Sequence, residues 1–220
     1  MEQSVYDYGR VAPFYEAIAA IYSLGAIPRV KSLQQSEMEA GDRVLYIGVG
    51  AGEDALEAAR RGLDVTCVDV SPAMLARLAR RLEREALEAK LIRADILEFE
   101  SDGVYDVVVA NFVLNLFSQD VLEKVVARLG ALLAPSGRLL VADFAPAATT
   151  SRVSWLYSAY YWPVACAAWL LGLCDLHPIR DYEPVFESYT LQLASRRQVR
   201  PCRLAPPLFE SLTLVHRRGQ

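Results

Sequence analysis

Three glycines at alternate positions, Gly48, Gly50 and Gly52 of Gly48-Val49-Gly50-Ala51-Gly52, follow directly on the β-rich run Arg43-Val44-Leu45-Tyr46-Ile47. Glycine lets a backbone turn tightly and lets a ligand approach without meeting a β-carbon. Three in alternation exceed what a plain turn requires. Asp69 ends a second apolar run, Val68-Asp69-Val70, about twenty residues beyond the first glycine. At that separation a carboxylate can accept both hydroxyls of a ribose. The two features describe a nucleoside-binding crevice beyond the carboxyl ends of parallel strands. A carboxylate at Asp69 would repel a 2′-phosphate, which argues against NADP.

NAD and S-adenosylmethionine both satisfy these two features, and three details separate them. The loop reads G-x-G-x-G, so its third glycine falls one residue early for a dinucleotide fingerprint. Glu53 and Asp54 open the following helix, where a pyrophosphate would sit and be repelled. The amino-acid end of S-adenosylmethionine carries an ammonium that tolerates such carboxylates. Finally, no second domain remains in 220 residues to hold a hydride acceptor. S-adenosylmethionine is therefore the preferred reading, with an NAD-linked oxidoreductase the lesser alternative.

The elements that must position these residues are legible in the hydrophobic pattern. Short apolar runs at 43–47, 64–70, 91–94, 105–110 and 138–143 alternate with helical periodicity over 53–61, 72–89 and 119–133. Ser71 is placed to cap the second of these helices, with Pro72 at its first position. Alternating βα units specify a parallel sheet covered on both faces. Farther on, a short helix over 182–189 precedes strands at 191–199 and 208–217, joined through Pro201, Pro206 and Pro207. No helix fits between those strands, so they pair as an antiparallel hairpin at the sheet edge. Helices over 11–24 and 27–38, broken at Gly25 and Pro28, precede the sheet. The fold class is α/β: a Rossmann-like, doubly wound sheet of seven strands, mostly parallel, with a helical N-terminal cap. One domain is expected, divided into N-terminal helices (1–40), a cofactor-binding core (41–143), an apolar lid (144–181) and a terminal helix with hairpin (182–220).

In this order the motifs resemble those of class I S-adenosylmethionine-dependent methyltransferases. The resemblance runs through Tyr46 to Gly52, Val68-Asp69-Val70-Ser71-Pro72-Ala73-Met74-Leu75, Arg93-Ala94-Asp95 and Tyr105-Asp106-Val107-Val108-Val109-Ala110. It continues through Leu139 to Asp143 behind Pro135-Ser136-Gly137. It implies that Gly48, Gly50 and Gly52 lie under the methionine part and that Asp69 holds the ribose. Asp95 and Ile96 would flank the adenine, and Asn111 and Phe112 would lie near the sulfonium. Tyr46 stands where that family usually has an acidic residue, so the contact to the cofactor's amino group is expected from Asp54 instead. The missing acid also makes a non-catalytic S-adenosylmethionine-binding module an alternative. More loosely, the arrangement is similar to the C-methyltransferases of ubiquinone and menaquinone biosynthesis.

The stretch from Val153 to Cys174 holds no charged residue, and its tryptophans, Trp155, Trp162 and Trp169, recur every seventh position. On a helix that spacing forms one stripe. Core packing is the first expectation, with a lid over an apolar ligand or peripheral membrane contact as the alternatives. Tyr157, Tyr160, Tyr161 and Pro163 in its middle argue against a membrane-spanning helix. Such walls suit a ring or an isoprenoid, so the expected partner is an apolar small molecule such as a quinone precursor or phenol. Candidate bases are Asp143, at the tip of the fifth strand, and His177, just past the apolar stretch. Tyr6, Tyr8 and Tyr15 are candidates to fold over the cofactor.

Composition narrows the classes further. A 53% hydrophobic content excludes overall disorder, and a net charge of −4 gives no support for a nucleic-acid partner. Cys67, Cys166, Cys174 and Cys202 include no C-x-x-C pair, so no metal site is expected and reduced thiols are. The N-terminus lacks a signal-peptide pattern, which gives the expectation of a cytoplasmic protein.

Overall fold

The computed structural model describes residues 22–146, 154–170, 178–203 and 205–217. The N-terminal helix expected over 11–24 up to residue 21, Tyr6, Tyr8 and Tyr15, and the candidate base His177 lie outside the described residues. Helix α1 (Ala26–Ser32) tightens into a 3₁₀ turn at Leu33–Glu37 and leads to β1 (Arg43–Ile47). Then follow α2 (Glu53–Arg60), β2 (Asp64–Asp69), α3 (Pro72–Arg84), β3 (Lys90–Arg93) and β4 (Tyr105–Asn111). A 3₁₀ turn at Leu114–Leu116 precedes α4 (Gln119–Leu132) and β5 (Leu133–Phe144). After these come α5 (Ser154–Leu170), α6 (Glu183–Ser188), β6 (Leu191–Val199) and β7 (Phe209–His216).

The strands form one sheet in the order β3-β2-β1-β4-β5-β7-β6. Strands β1 to β5 run parallel to one another, and β7 runs antiparallel to both β5 and β6. The order reverses between β1 and β4, which opens a crevice at their carboxyl ends. Side-chain alternation along each strand supplies two cores. On one face Leu45, Val108, Ala110, Leu139 and Val141 meet Leu122, Val125 and Leu129 of α4. On the other, Val44, Tyr46, Val107 and Val109 meet Ala55 and Ala58 of α2 with Leu78 and Leu82 of α3. The central strands are buried on both sides, the reason their sequences are almost continuously apolar.

Three details depart from the sequence-based expectations, each for a local reason. Helix α3 ends at Arg84 rather than 89, because Ala86 turns left-handed (φ 53°). The amide of Leu87 then donates to the Leu82 carbonyl at 2.9 Å and that of Ala86 to Glu83 at 3.2 Å, a Schellman stop with Leu87 packed back on the core. Pro28 does not break α1; it occupies the first turn, where no intrahelical acceptor is needed. In α5 the core-facing stripe is Tyr157, Tyr161 and Ala165, all buried, while Trp162 is half-buried and Trp169 is 53% exposed. Trp162 lies one residue, and so about 100° of helix rotation, beyond Tyr161. The seven-residue tryptophan spacing thus falls on a different line from the four-residue tyrosine–alanine spacing that packs.

Gly52 begins α2 in the left-handed region (φ 76°), and a Cβ there would stand 2.7 Å from Leu78 Cδ1 of α3. Backbone strain and overpacking act together at this position. Gly52→Ala is expected to lower the unfolding free energy by about 2–4 kcal/mol in urea titrations. A loss under about 0.5 kcal/mol would show that the loop and α3 yield easily.

Candidate functional site

The crevice between β1 and β4 has a volume of about 940 Å³, including the part open to solvent. Gly48 and Gly50 line it, with Asp69, Asp95, Ile96, Asn111 and Phe112. Seven of the sequence-predicted residues therefore meet at one place. Gly52 and Asp54 do not line it: Gly52 spaces α2 from α3, and Asp54 sits behind Asn111 in the first turn of α2.

The loop after β1 is held from several directions. The Gly48 amide donates to the Val68 carbonyl at 3.0 Å, tying the loop to β2. A Cβ on Gly48 would meet Val113 Cγ2 at 2.8 Å, and the residue takes φ 63°, so only glycine brings this backbone to the crevice wall unstrained. Asp69 is buried, and its carboxylate accepts the Ser71 amide at 2.8 Å and further backbone amides of Val49, Gly50 and Val70. Desolvation raises its pKa, opposed by those amides. From outside, Arg81 of α3 donates to the Ala51 carbonyl at 3.0 Å and pairs with Glu53. The Glu53 charge, read from sequence as facing a ligand, is instead matched by Arg81 and by Arg60 at 3.7 Å.

Asp95 accepts the Leu97 amide at 2.9 Å, capping its own turn while lining the crevice. Asn111 is more committed. Its Nδ2 donates to Gln34 Oε1 at 2.8 Å and to Asp54 Oδ2 at 2.9 Å. Its Oδ1 accepts Gln34 Nε2 at 2.9 Å and the Ala142 amide at 3.0 Å. Those four bonds use the amide's donor capacity and its two lone pairs, so Asn111 orients other groups. Phe112, next along, is left-handed (φ 53°), with its amide donating to the Ala142 carbonyl at 2.8 Å. Its ring meets Phe144 at 5.8 Å and Phe209 at 6.0 Å, both edge-on. Tyr161 and Tyr160 of α5 extend that group through Phe144 and Phe209. Phe112 therefore joins the crevice to an aromatic cluster beneath α5.

Sequence reasoning missed Lys31 and Gln34. Both come from the segment before β1, Lys31 lines the crevice, and its Nζ lies 3.3 Å from Asp54 Oδ2. One lysine and one glutamine in an amphipathic helix carry no local signal; contacts distant in sequence give them their place. Val113, Leu116 and Phe117, from the segment after β4, form an apolar wall that the pattern likewise did not single out.

Asp143 is 1% exposed and does not line the crevice. Its side chain shares the face of Leu139 and Val141, beneath the segment after β4. There it accepts the Tyr182 hydroxyl at 2.9 Å and the backbone amides of Phe144 and Asn115. Its cross-strand neighbour Glu210 is also buried, with Arg196 Nε 3.5 Å away. Burial pushes both carboxyls up, each to about 7. Among the described residues no group of His, Cys, Asp and Glu is placed to hold a metal ion, and no helix is long and apolar enough to cross a membrane.

Residues 44–137 match a family described as a methyltransferase domain. The demethylmenaquinone methyltransferase of Thermus thermophilus is 33% identical over 144 residues, covering 63% of this chain and 64% of that relative. The match thus spans less than two thirds of the relative's length. Among solved structures, the magnesium protoporphyrin IX methyltransferase of Synechocystis with bound S-adenosylhomocysteine superposes with a TM-score of 0.65 at 17% identity, covering 92% of this chain and 87% of its own. The [4+2]-cyclase SpnF gives 0.69 at 14% identity, covering 99% and 98%. These two likenesses are of fold. Over residues 44–137 and in its fold, the chain is thus similar to S-adenosylmethionine-dependent methyltransferases.

The crevice meets the demands of that cofactor. Gly48 brings its backbone to the wall where a Cβ would not fit, and buried Asp69 places there a carboxylate, the kind of acceptor that ribose hydroxyls need. Asp69→Asn is expected to weaken S-adenosylhomocysteine binding by about 1–3 kcal/mol in calorimetric titration, through loss of charged hydrogen bonds. Unchanged affinity would remove Asp69 from the site. The Asp143 proton makes a separate prediction. With its carboxyl at about 7 folded and 3.8 as the ordinary value, the stabilising contribution of the protonated form is complete at low pH and lost as pH rises through about 7. Asp143→Asn should therefore gain stability relative to the parent between about pH 4 and 8, by no more than about 4 kcal/mol. A pH-independent difference would contradict the buried proton.

Proposed function

We propose that the protein transfers the methyl group of S-adenosylmethionine to an apolar, ring-bearing acceptor of the quinone-precursor type. The observation that carries this reading is the continuity at Phe112: one residue lines the crevice and packs into the aromatic cluster beneath α5. The name of the Thermus thermophilus relative supports the acceptor class. An uncharged aromatic surface favours a ring and disfavours a phosphate-bearing acceptor, whose desolvation it could not offset.

When bound, S-adenosylmethionine supplies a methyl group activated by a positively charged sulfur, and its in-line displacement demands alignment and dryness. The chain's residues provide both. Gly48 and Gly50 offer backbone without side-chain obstruction, Asp69 accepts from the ribose, and Asp95 with Ile96 flanks the adenine. Asn111, locked by its four bonds, fixes the end of β4 so that Phe112 borders the reacting end. Val113, Leu116 and Phe117 exclude water from that side. Methylation at an acceptor carbon also requires that carbon to lose its proton, which passes to water at the open side of the crevice. Asp143, buried and bonded to Tyr182, does not reach the crevice, so alignment carries more of the rate than a base from this strand. Apolar contact with a membrane surface through the 153–174 stretch belongs to the same proposal, since Trp169 and Leu170 at the end of α5 are exposed.

The test is turnover with methyl-labelled S-adenosylmethionine against reduced demethylmenaquinone, simple phenols and soluble polar amines. Label is expected in the quinol, with the amines inert. Transfer confined to polar acceptors would overturn the acceptor class. Cofactor binding without transfer to any of them would favour the binding-module reading.

A further inference from the structure

Two carboxyls that methyl transfer does not use lie side by side where β5 meets β7. Asp143 and Glu210 are directly opposite in the antiparallel register, and each is 1% exposed. Opposed side chains share a face, with Cβ atoms about 5 Å apart. Two like charges that close and away from water oppose each other's formation. Compensation is incomplete. Arg196 Nε lies 3.5 Å from Glu210, but the same guanidinium meets Asp181 at 3.8 Å and Glu183 at 3.0 Å. Glu210 Oε2 has no hydrogen-bond donor among the described residues. Asp143 has donors in Tyr182 and the amides of Phe144 and Asn115, and Arg180 also favours its charged form. Burial still outweighs these and keeps both carboxyls protonated up to about pH 7.

The cover over this pair also borders the crevice. Residues 178–182 cross from the aromatic cluster, where Ile179 packs, to the start of α6. Along the way the Arg180 guanidinium donates to the Phe117 carbonyl, and the Tyr182 hydroxyl donates to Asp143 at 2.9 Å. Asp143 in turn accepts the Asn115 amide. This strap is therefore fastened to the carboxyl pair and to the wall that carries Leu116 and Phe117. Displacing it uncovers Asp143 to water, and the carboxyls then return toward their ordinary values of 3.8 and 4.5. Between about pH 4 and 7 the closed strap thus binds more protons than the open one. Opening gains up to about tenfold per pH unit for each carboxyl in that window and levels off above it.

We propose that the 178–182 strap is a proton-linked latch: the Asp143–Glu210 pair holds it shut while neutral, and ionisation frees the wall at Leu116 and Phe117. That the freed wall admits or releases an acceptor rests on the function proposed above; the latch itself does not. Hydrogen–deuterium exchange of the full chain tests it, read by mass spectrometry and corrected for the intrinsic pH dependence of amide exchange. From pH 5 to 7, opening over 178–190 is expected to rise about tenfold or more, while β1 and β4 stay better protected. Glu210→Gln is expected to reduce that rise, and Asp143→Asn with Glu210→Gln to hold opening within about twofold across the range. Tyr182→Phe, which keeps the ring and removes the hydroxyl, is expected to raise opening about two- to tenfold at every pH and to keep the rise. Protection independent of pH in the parent would overturn the latch, as would a rise that survives loss of both carboxyls. So would exchange of the strap in step with β1 and β4, which would assign the pair to global stability alone. No ligand enters the measurement, so its failure is distinct from failure of the acceptor reading.

Discussion

A carboxylate buried at the end of β2 is the constraint on which the site depends. Removing Asp69 from water is costly, and amides of Val49, Gly50, Val70 and Ser71 offset that cost. Two of these belong to the loop after β1. The same interaction therefore solvates the charge and holds the glycine loop in register with the neighbouring strand. The glycines are needed because the loop must lie against β2 and Val113 with its backbone at the crevice wall. Loop shape and acidic charge are one arrangement, not two motifs that happen to be near.

A second network governs the other half of the crevice. Gln34, Asn111, Asp54 and Lys31 form a connected chain of hydrogen bonds and one ion pair from α1 to α2 across the end of β4. Buried polar groups are tolerable when all are satisfied, and such a network then admits few alternatives. The consequence is positional. Phe112 is held left-handed by its amide bond to Ala142 and by its two ring neighbours. A bulky residue adopts that backbone only where its surroundings over-determine it. The segment that follows, held by the Asp143 bond to Asn115 and by Arg180 to the Phe117 carbonyl, then closes one wall.

Much of this was legible in the sequence, for reasons that also mark where legibility stops. The βα order, the terminal hairpin and the crevice residues follow from local patterns: apolar runs, a capping Ser71, alternate glycines and an acid at a strand end. Asp143 shows how position without parity misleads. The tip of β5 does point toward the ligand side, but residues 139, 141 and 143 face α4 while Ala142 faces α1 and α5. The side chain therefore lies under the segment after β4. The tryptophan repeat was only partly informative, since Trp162 packs against the core while Trp169 is exposed: seven-residue spacing identifies a line on a helix and not which line is buried. Lys31 and Gln34 were invisible because their roles arise from partners 23 and 77 positions away. Magnitudes for such pairs depend on burial, which no short window reveals.

The central claim is that this crevice is built for a thioether nucleoside with an amino-acid end, and not for a dinucleotide. Equilibrium titration of the unaltered protein with S-adenosylhomocysteine and with NAD tests it most directly. Saturable one-to-one binding of S-adenosylhomocysteine is expected in the micromolar range or tighter, with no binding of NAD at about 1 mM. Preference for NAD, or indifference between the two, would contradict it.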